Sequence, residues 1–327
     1  MGRGTFTISL DFELHWGVSD HRTIEAYFEN LKNTPEVVRR LLGLFEKRKI
    51  RATWATVGML FCKSKDELFS FVPVSQRPAY NDAALSNYTI AQTAGENEVK
   101  DPFHYANSLI TQIINTPGQE MATHTYSHYY CLEPGQTGEQ FYYDLLAAKH
   151  VTQREGVQPV SIVFPRNQYS ELYIEKCRLA GLEAYRGTFP FWMYKTEAKS
   201  TERIWKRAFR FIDTYLPVSG QRTVSAEFSN GMLNIPGSCF LRPYDKKTTW
   251  LEPLRLSRIK REMSAAAKRG KIYHLWWHPH NFGKNMDKNF SFLEKIISHY
   301  ELLSKEYDME NLSMKDILAN FKQQNSK

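Results

Sequence analysis

Five side chains in three distant stretches carry the groups that cleavage of an unreactive bond requires. They are Asp11 and Glu13 in Ile8-Ser-Leu-Asp-Phe-Glu-Leu14, His124 and His128 in His124-Thr-Tyr-Ser-His128, and His278 in Trp276-Trp-His-Pro-His280. Hydrolysing an amide near neutral pH needs a nucleophile stronger than bulk water, stabilisation of a tetrahedral oxyanion, and a proton for the departing amine. One divalent cation meets the first two needs. Imidazoles four residues apart reach a common cation if the chain turns helically after a strand, although that spacing alone also arises by chance. The two acids supply a ligand and a proton acceptor between them. They could instead be surface groups on an edge strand, but their neighbours are strongly apolar, and charges at a buried strand end need partners. His278 is the natural proton donor.

The elements that must position these groups can be read from periodicity. Thr5–Leu14 alternates as a strand whose odd positions share a face, which puts Asp11 and Glu13 on one side. Thr34-Pro35-Glu36 supplies a helix start, and the helix runs to about Lys49. A second strand follows at Arg51–Val57. Residues from about 62 to 116 have no sustained period and read as a long insertion with one short helix near 102–114. A strand at 120–124 leads into the histidines. The capping box Thr137-Gly-Glu-Gln140 opens a helix to about Glu155. A strand at 161–164, a helix at 170–179 stopped by Gly181, and a short strand at 183–185 come next. A basic helix at 201–211 and an extended stretch near 223–228 precede a helix at 253–269, a strand at 271–277, and a C-terminal helical extension over about 288–327. Alternating strands and helices point to a parallel (β/α) barrel in a single domain, with the reactive groups at carboxyl ends of strands.

Bulk properties exclude several classes. The chain has 327 residues, 42% hydrophobic and 24% charged, which is globular composition. Its formal charge of +8 favours acidic partners such as anionic glycans or lipid-linked phosphosugars. The basic residues are scattered, so nucleic acid is not expected as a partner. Cys62, Cys131, Cys177 and Cys239 are far apart, with no CxxC pair, and are expected as buried free thiols. There is no signal-peptide stretch and no span of transmembrane length, so the expected location is the cytoplasm.

Taken together, these segments resemble the polysaccharide deacetylases of carbohydrate esterase family 4. That family carries an acidic pair on its first strand, a His-Ser/Thr-x-x-His motif, an Arg-Pro motif and a late Leu-x-x-His motif. Here they match Asp11 with Glu13, His124 with His128, Phe164-Pro-Arg166, and His274-Leu-Trp-Trp-His278, in the family's order, over residues 5 to 280. The chain departs by having Asp-x-Glu where the family has adjacent aspartates. Arg166 also follows its proline rather than preceding it, which leaves Arg186 as a competing partner for the catalytic aspartate.

The resemblance implies a distorted (β/α)7-type barrel and a metal-dependent hydrolase that removes N-acetyl groups from an amino sugar or glycan. In that reading Glu13, His124 and His128 hold Zn²⁺ or a similar divalent ion, Asp11 is the general base, and His278 protonates the leaving amine. A backbone N–H near Tyr129 or Tyr130 helps to hold the oxyanion. Trp16, Trp276, Trp277 and His280 border the motifs and are candidates for contact with a sugar, although neighbours on a strand point to opposite faces, so at least one of the adjacent tryptophans is expected in the core. The absent signal and basic charge suit synthesis of a capsule or O-antigen, with peripheral contact to a lipid-linked substrate. Alternatives are a deformylase or cyclic-ureide hydrolase on the same metal site, and a glycan-binding relative without catalysis.

Overall fold

The computed structural model describes residues 2–198 and 201–325. Among them are ten strands: β1 (Thr5–Phe12), β2 (Ala52–Thr56), β3 (Gln119–Thr123), β4 (Ser161–Val163), β5 (Ala184–Arg186), β6 (Glu227–Ser229), β7 (Met232–Asn234), β8 (Cys239–Phe240), β9 (Ile272–Trp277) and β10 (Glu310–Asn311). They form one sheet in the order β6-β7-β5-β4-β3-β2-β1-β9-β8, with β10 beside the start of β1. The β6–β7 hairpin is antiparallel and the other ladders are parallel, as helix crossovers require.

The two ends of the sheet meet through the segment from β7 to β8. Its first half donates to β5, from Ile235 N–H to Tyr185 O and Gly237 N–H to Gly187 O, both at 2.9 Å. Its second half donates to β9, from Ser238 N–H to His274 O and Leu241 N–H to Trp276 O, both at 2.8 Å. The result is the expected distorted barrel. Gly237 sits at the changeover, where a Cβ would lie 3.1 Å from the Trp276 ring.

Strand β1 shows how the pattern sets the two layers. Its even residues Phe6, Ile8, Leu10 and Phe12 are buried in the main apolar cluster with Val37, Leu41 and Phe45 of the helix Thr34–Arg48. Each such side chain contributes roughly 1.5–3 kcal/mol when fully buried. The odd residues Thr7, Ser9 and Asp11 are buried too, but on the opposite face. Arg186 of β5 reaches both Ser9 and Asp11. Since β2, β3 and β4 separate those two strands in the sheet, the odd face of β1 is the barrel interior.

Some local expectations change. The helix at 34 begins with Thr34 itself after Asn33, without a side-chain cap, while Pro35 keeps its place in the first turn. The stretch 62–116 is better ordered than its sequence suggests. Besides Asn107–Asn115 it contains the helices Lys65–Ser70 and Asn87–Ala91. The basic helix lies at Ile204–Asp213. The C-terminal segment contains, besides its helices Met286–Tyr307 and Met314–Asn325, the strand β10. The start of the last helix closes one barrel end, where buried Glu120 accepts from Lys315 N–H at 2.9 Å and Thr53 Oγ1 at 2.6 Å. All four cysteines are free and buried.

Candidate active site

Asp11, Glu13, His124, His128 and His278 stand at carboxyl ends of β1, β3 and β9 and come together as one cluster. Past Asp11 the chain leaves β1, with Glu13 at φ −135° and Leu14 at φ +46°, and enters the tight turn Leu14–Gly17. Gly17 is packed so closely that a Cβ would fall 1.9 Å from the Glu13 carboxyl carbon. Any larger residue there would displace the carboxylate.

His124 follows β3 directly. Its Nδ1 lies 2.8 Å from the carbonyl of Val163, which can only accept, so Nδ1 carries the proton and Nε2 faces the pocket. Nε2 is 3.2 Å from Glu13 Oε2 and has no hydrogen-bond partner. His128 Nε2 lies 3.0 Å from the same oxygen.

The loop between these histidines does not turn helically, as the spacing led us to expect. Thr125 at φ +65° and His128 at φ +56° take left-handed conformations. Buried Asp144 holds them there, accepting from Tyr126 N–H at 2.6 Å, Ser127 N–H at 3.1 Å, and the Ser127 hydroxyl. Burial pushes the Asp144 carboxyl up to about 6, against those three donors.

Glu13 lies between two histidine pairs. Its Oε2 meets His124 and His128, while its Oε1 is 3.6 Å from His278 Nε2 and 3.9 Å from His280 Nε2. Burial raises the Glu13 carboxyl, but the imidazoles of His278, His124 and His128 around it outweigh that and hold the group well below its usual range. The donor atoms of Glu13, His124 and His128 all lie within 4.8 Å of one another. An imidazole lone pair directed at a carboxylate oxygen is repulsive unless a cation or proton lies between. The unpartnered His124 Nε2 and the N, N, O donor set therefore fit a divalent ion of the zinc kind. Glu13, His278 and His280 form a second group within the same distance, though His278 is partly exposed.

Arg186 is the partner of Asp11. Its Nη1 donates to Oδ1 at 2.7 Å and its Nη2 to Oδ2 at 2.8 Å, with further bonds to Ser9 Oγ and Asn167 Oδ1. Burial raises the Asp11 carboxyl, but the guanidinium outweighs it and the net shift is downward. Arg166, the other candidate, turns away to Asp20 and Glu133 and covers the Tyr130 ring at 4.0 Å.

His278 has 24% of its side chain exposed. Asn281, oriented by the Tyr27 hydroxyl on its Oδ1, presents its amide nitrogen to His278 Nδ1 at 3.2 Å. Nδ1 therefore accepts, and the proton sits on Nε2, 3.7 Å from Asp11 Oδ2. His280 stacks on His278 at 5.3 Å, and burial pushes it down to about 3.

Three other expected roles do not survive the geometry. Tyr129 N–H already donates to Thr125 Oγ1 at 2.7 Å and Tyr130 N–H to the Tyr80 hydroxyl at 2.8 Å, so neither is free for an oxyanion. Trp16 and Trp277 are fully buried, the former bonded to His104 O and the latter stacked on Phe282, and neither leaves a ring face for a sugar. Of the tryptophans beside the motifs, Trp276 is the one only partly buried. With Phe240, Asn167 and Arg166 it lines a cleft of about 560 Å³, and it stands 6.0 Å from the His278 ring.

Asp144, Ser9, Asn167 and Asn281 were not anticipated. Asp144 carried a signal, because it shares the buried stripe of Phe141, Leu145 and Ala148 on the helix Gly138–Arg154. An acid at a core position of a helix needs internal donors.

No protein-family model and no curated protein matches the chain. Solved structures do. A structure assigned as a polysaccharide deacetylase of Mycobacterium smegmatis is 15% identical with a TM-score of 0.61, covering 99% of this chain and 92% of that one. One from Pseudomonas aeruginosa PAO1, also assigned as a polysaccharide deacetylase, is 13% identical with a TM-score of 0.56, covering 97% and 89%. The 4-alpha-glucanotransferase of Thermococcus litoralis is 11% identical with a TM-score of 0.55 and covers 98% of this chain but 40% of its own. At these identities the likeness concerns the fold, and the fold of this chain is the distorted barrel that the polysaccharide-deacetylase structures share.

Proposed function

We propose that the chain is a metal-dependent hydrolase that removes N-acetyl groups from an amino sugar or glycan. The observation that carries this reading is the meeting, in one cluster, of the Glu13–His124–His128 group, an arginine-clamped Asp11, and His278. Glu13, His124 and His128 would hold Zn²⁺ or a similar ion, which when bound polarises the amide carbonyl and makes water more acidic. Asp11 accepts a proton. The guanidinium beside it keeps it ionised at neutral pH, and the two-point bond fixes its direction. His278, once protonated, delivers a proton from Nε2 to the departing amine, while Asp11 takes one from water. Trp276 and Phe240 offer the sugar apolar surface beside His278.

The test is acetate release from N-acetylated sugars by protein supplied with zinc, measured beside formate release from N-formyl sugars and ring opening of cyclic ureides. Acetate as the main product supports the proposal. Formate or ring opening without acetate transfers the same residues to another amide, and glycan binding without turnover removes the catalytic reading.

A further inference from the structure

The helix Ile204–Asp213 is amphipathic, but it is turned the wrong way for a helix packed on a water-soluble protein. Its polar side faces inward. Lys206 and Asp213 are its buried residues, and their polar groups are met internally: Lys206 Nζ by Glu197 at 2.7 Å, and Asp213 by the Tyr194 hydroxyl at 2.6 Å and by Ser219. The apolar side faces out. Ile204 is 84% exposed, and Trp205, Phe209, Ile212 and, just past the helix, Leu216 follow at helical spacing, each at least 40% exposed. Trp192 joins them, with its ring 5.1 Å from Trp205 and 5.6 Å from Phe209. Because the inward polar bonds fix the rotation of the helix, the outward apolar face is built in.

We propose that this face lies in the surface of an anionic phospholipid bilayer. Its composition argues for lipid over a second copy of the chain. Exposed Lys195, Arg203 and Arg207 flank the apolar residues, so two copies face to face would bring like charges together, while phosphate headgroups complement them. Tryptophan and phenylalanine between cations are the side chains that settle at the boundary of headgroup and acyl chain. The chain's net charge of +8 acts in the same direction. No helix among the described residues is long and apolar enough to cross a membrane, so the contact lies in the surface plane. Arg207 and Arg210 of this helix also line the cleft that reaches Trp276, so the bilayer would lie beside that cleft.

The experiment is flotation of the full chain with phosphatidylcholine vesicles, with and without phosphatidylglycerol, for the native sequence and for Trp205→Glu and Phe209→Glu. It uses no substrate, so it stands or falls apart from the deacetylase reading. The expected result is co-flotation with the phosphatidylglycerol vesicles alone, weakened by salt and reduced about ten-fold or more in each variant, since each removes one buried aromatic. Unchanged circular dichroism and melting temperature in the variants assign that loss to the face. Absence of native flotation would overturn the proposal, as would equal flotation of native and variant chains. So would a dimer in sedimentation that the same variants dissociate, because the face would then belong to a second copy.

Discussion

Arg186 grips Asp11 across the barrel with two parallel bonds, 2.7 Å and 2.8 Å long, and both residues are almost fully buried. Losing one partner of a buried pair strands the other charge, at a cost of about 3–5 kcal/mol. Arg186→Ala should therefore lower the melting temperature clearly and abolish acetate release. Arg186→Lys keeps the charge but cannot make both bonds. We expect it to fold and to turn over at least ~10-fold more slowly, by the loss of a fixed proton acceptor. Denaturant titration beside a rate assay checks both, and an Ala variant as stable and active as the native chain would remove the pair from the account.

His278 is partly exposed and bonded through Asn281 rather than through the core. His278→Ala should cost little stability. Loss of a general acid typically lowers kcat by about 10² to 10⁴. Zinc content should be unchanged in this variant, which separates proton delivery from ligation, and a variant that lost its ion would make His278 a ligand instead.

His274 is a buried neutral ring, with Nδ1 donating to Ile235 O at 3.2 Å and Nε2 accepting from Ser9 Oγ at 2.8 Å. Burial, with the charge of Arg186, pushes it down to about 3. Its folded value is lower than the ordinary value near 6.5, so the unfolded chain takes up a proton that the folded chain does not. Stability should thus be full above about pH 6.5 and fall as pH drops toward 3. In His274→Gln that part of the acid sensitivity should vanish. Urea midpoints across this range give the slopes, and equal slopes in the two proteins would contradict the assignment.

The candidate groups were more legible in the sequence than their supports. The alternation in Thr5–Leu14 gave the shared face of Asp11 and Glu13, and the late Trp-Trp-His segment gave the return of His278 beside the first strand, because strand period and parallel topology are local signals. The choice between Arg166 and Arg186 was not legible, since it depends on which strand end faces β1 across the barrel. The His124–His128 loop was misread for a related reason. Spacing suggests a helical turn, but the left-handed residues Thr125 and His128 are held by Asp144 on a later helix. A backbone N–H near Tyr129 or Tyr130 was likewise expected to be free, and tertiary partners occupy those of both residues. Strand alternation placed one of Trp276 and Trp277 in the core but not which, and Trp16 carried no local sign that it too points inward.

In the proposed mechanism Glu13, His124 and His128 hold one divalent ion that the reaction needs. Elemental analysis of the purified chain and of Glu13→Gln, each assayed for acetate release before and after dialysis against a chelator, tests it directly. The expected result is about one ion per native chain, bound through its two histidines and one carboxylate, with activity lost on chelation and restored by zinc, and neither ion nor activity in Glu13→Gln. Full acetate release from ion-free protein, or an undiminished ion in Glu13→Gln, would contradict it.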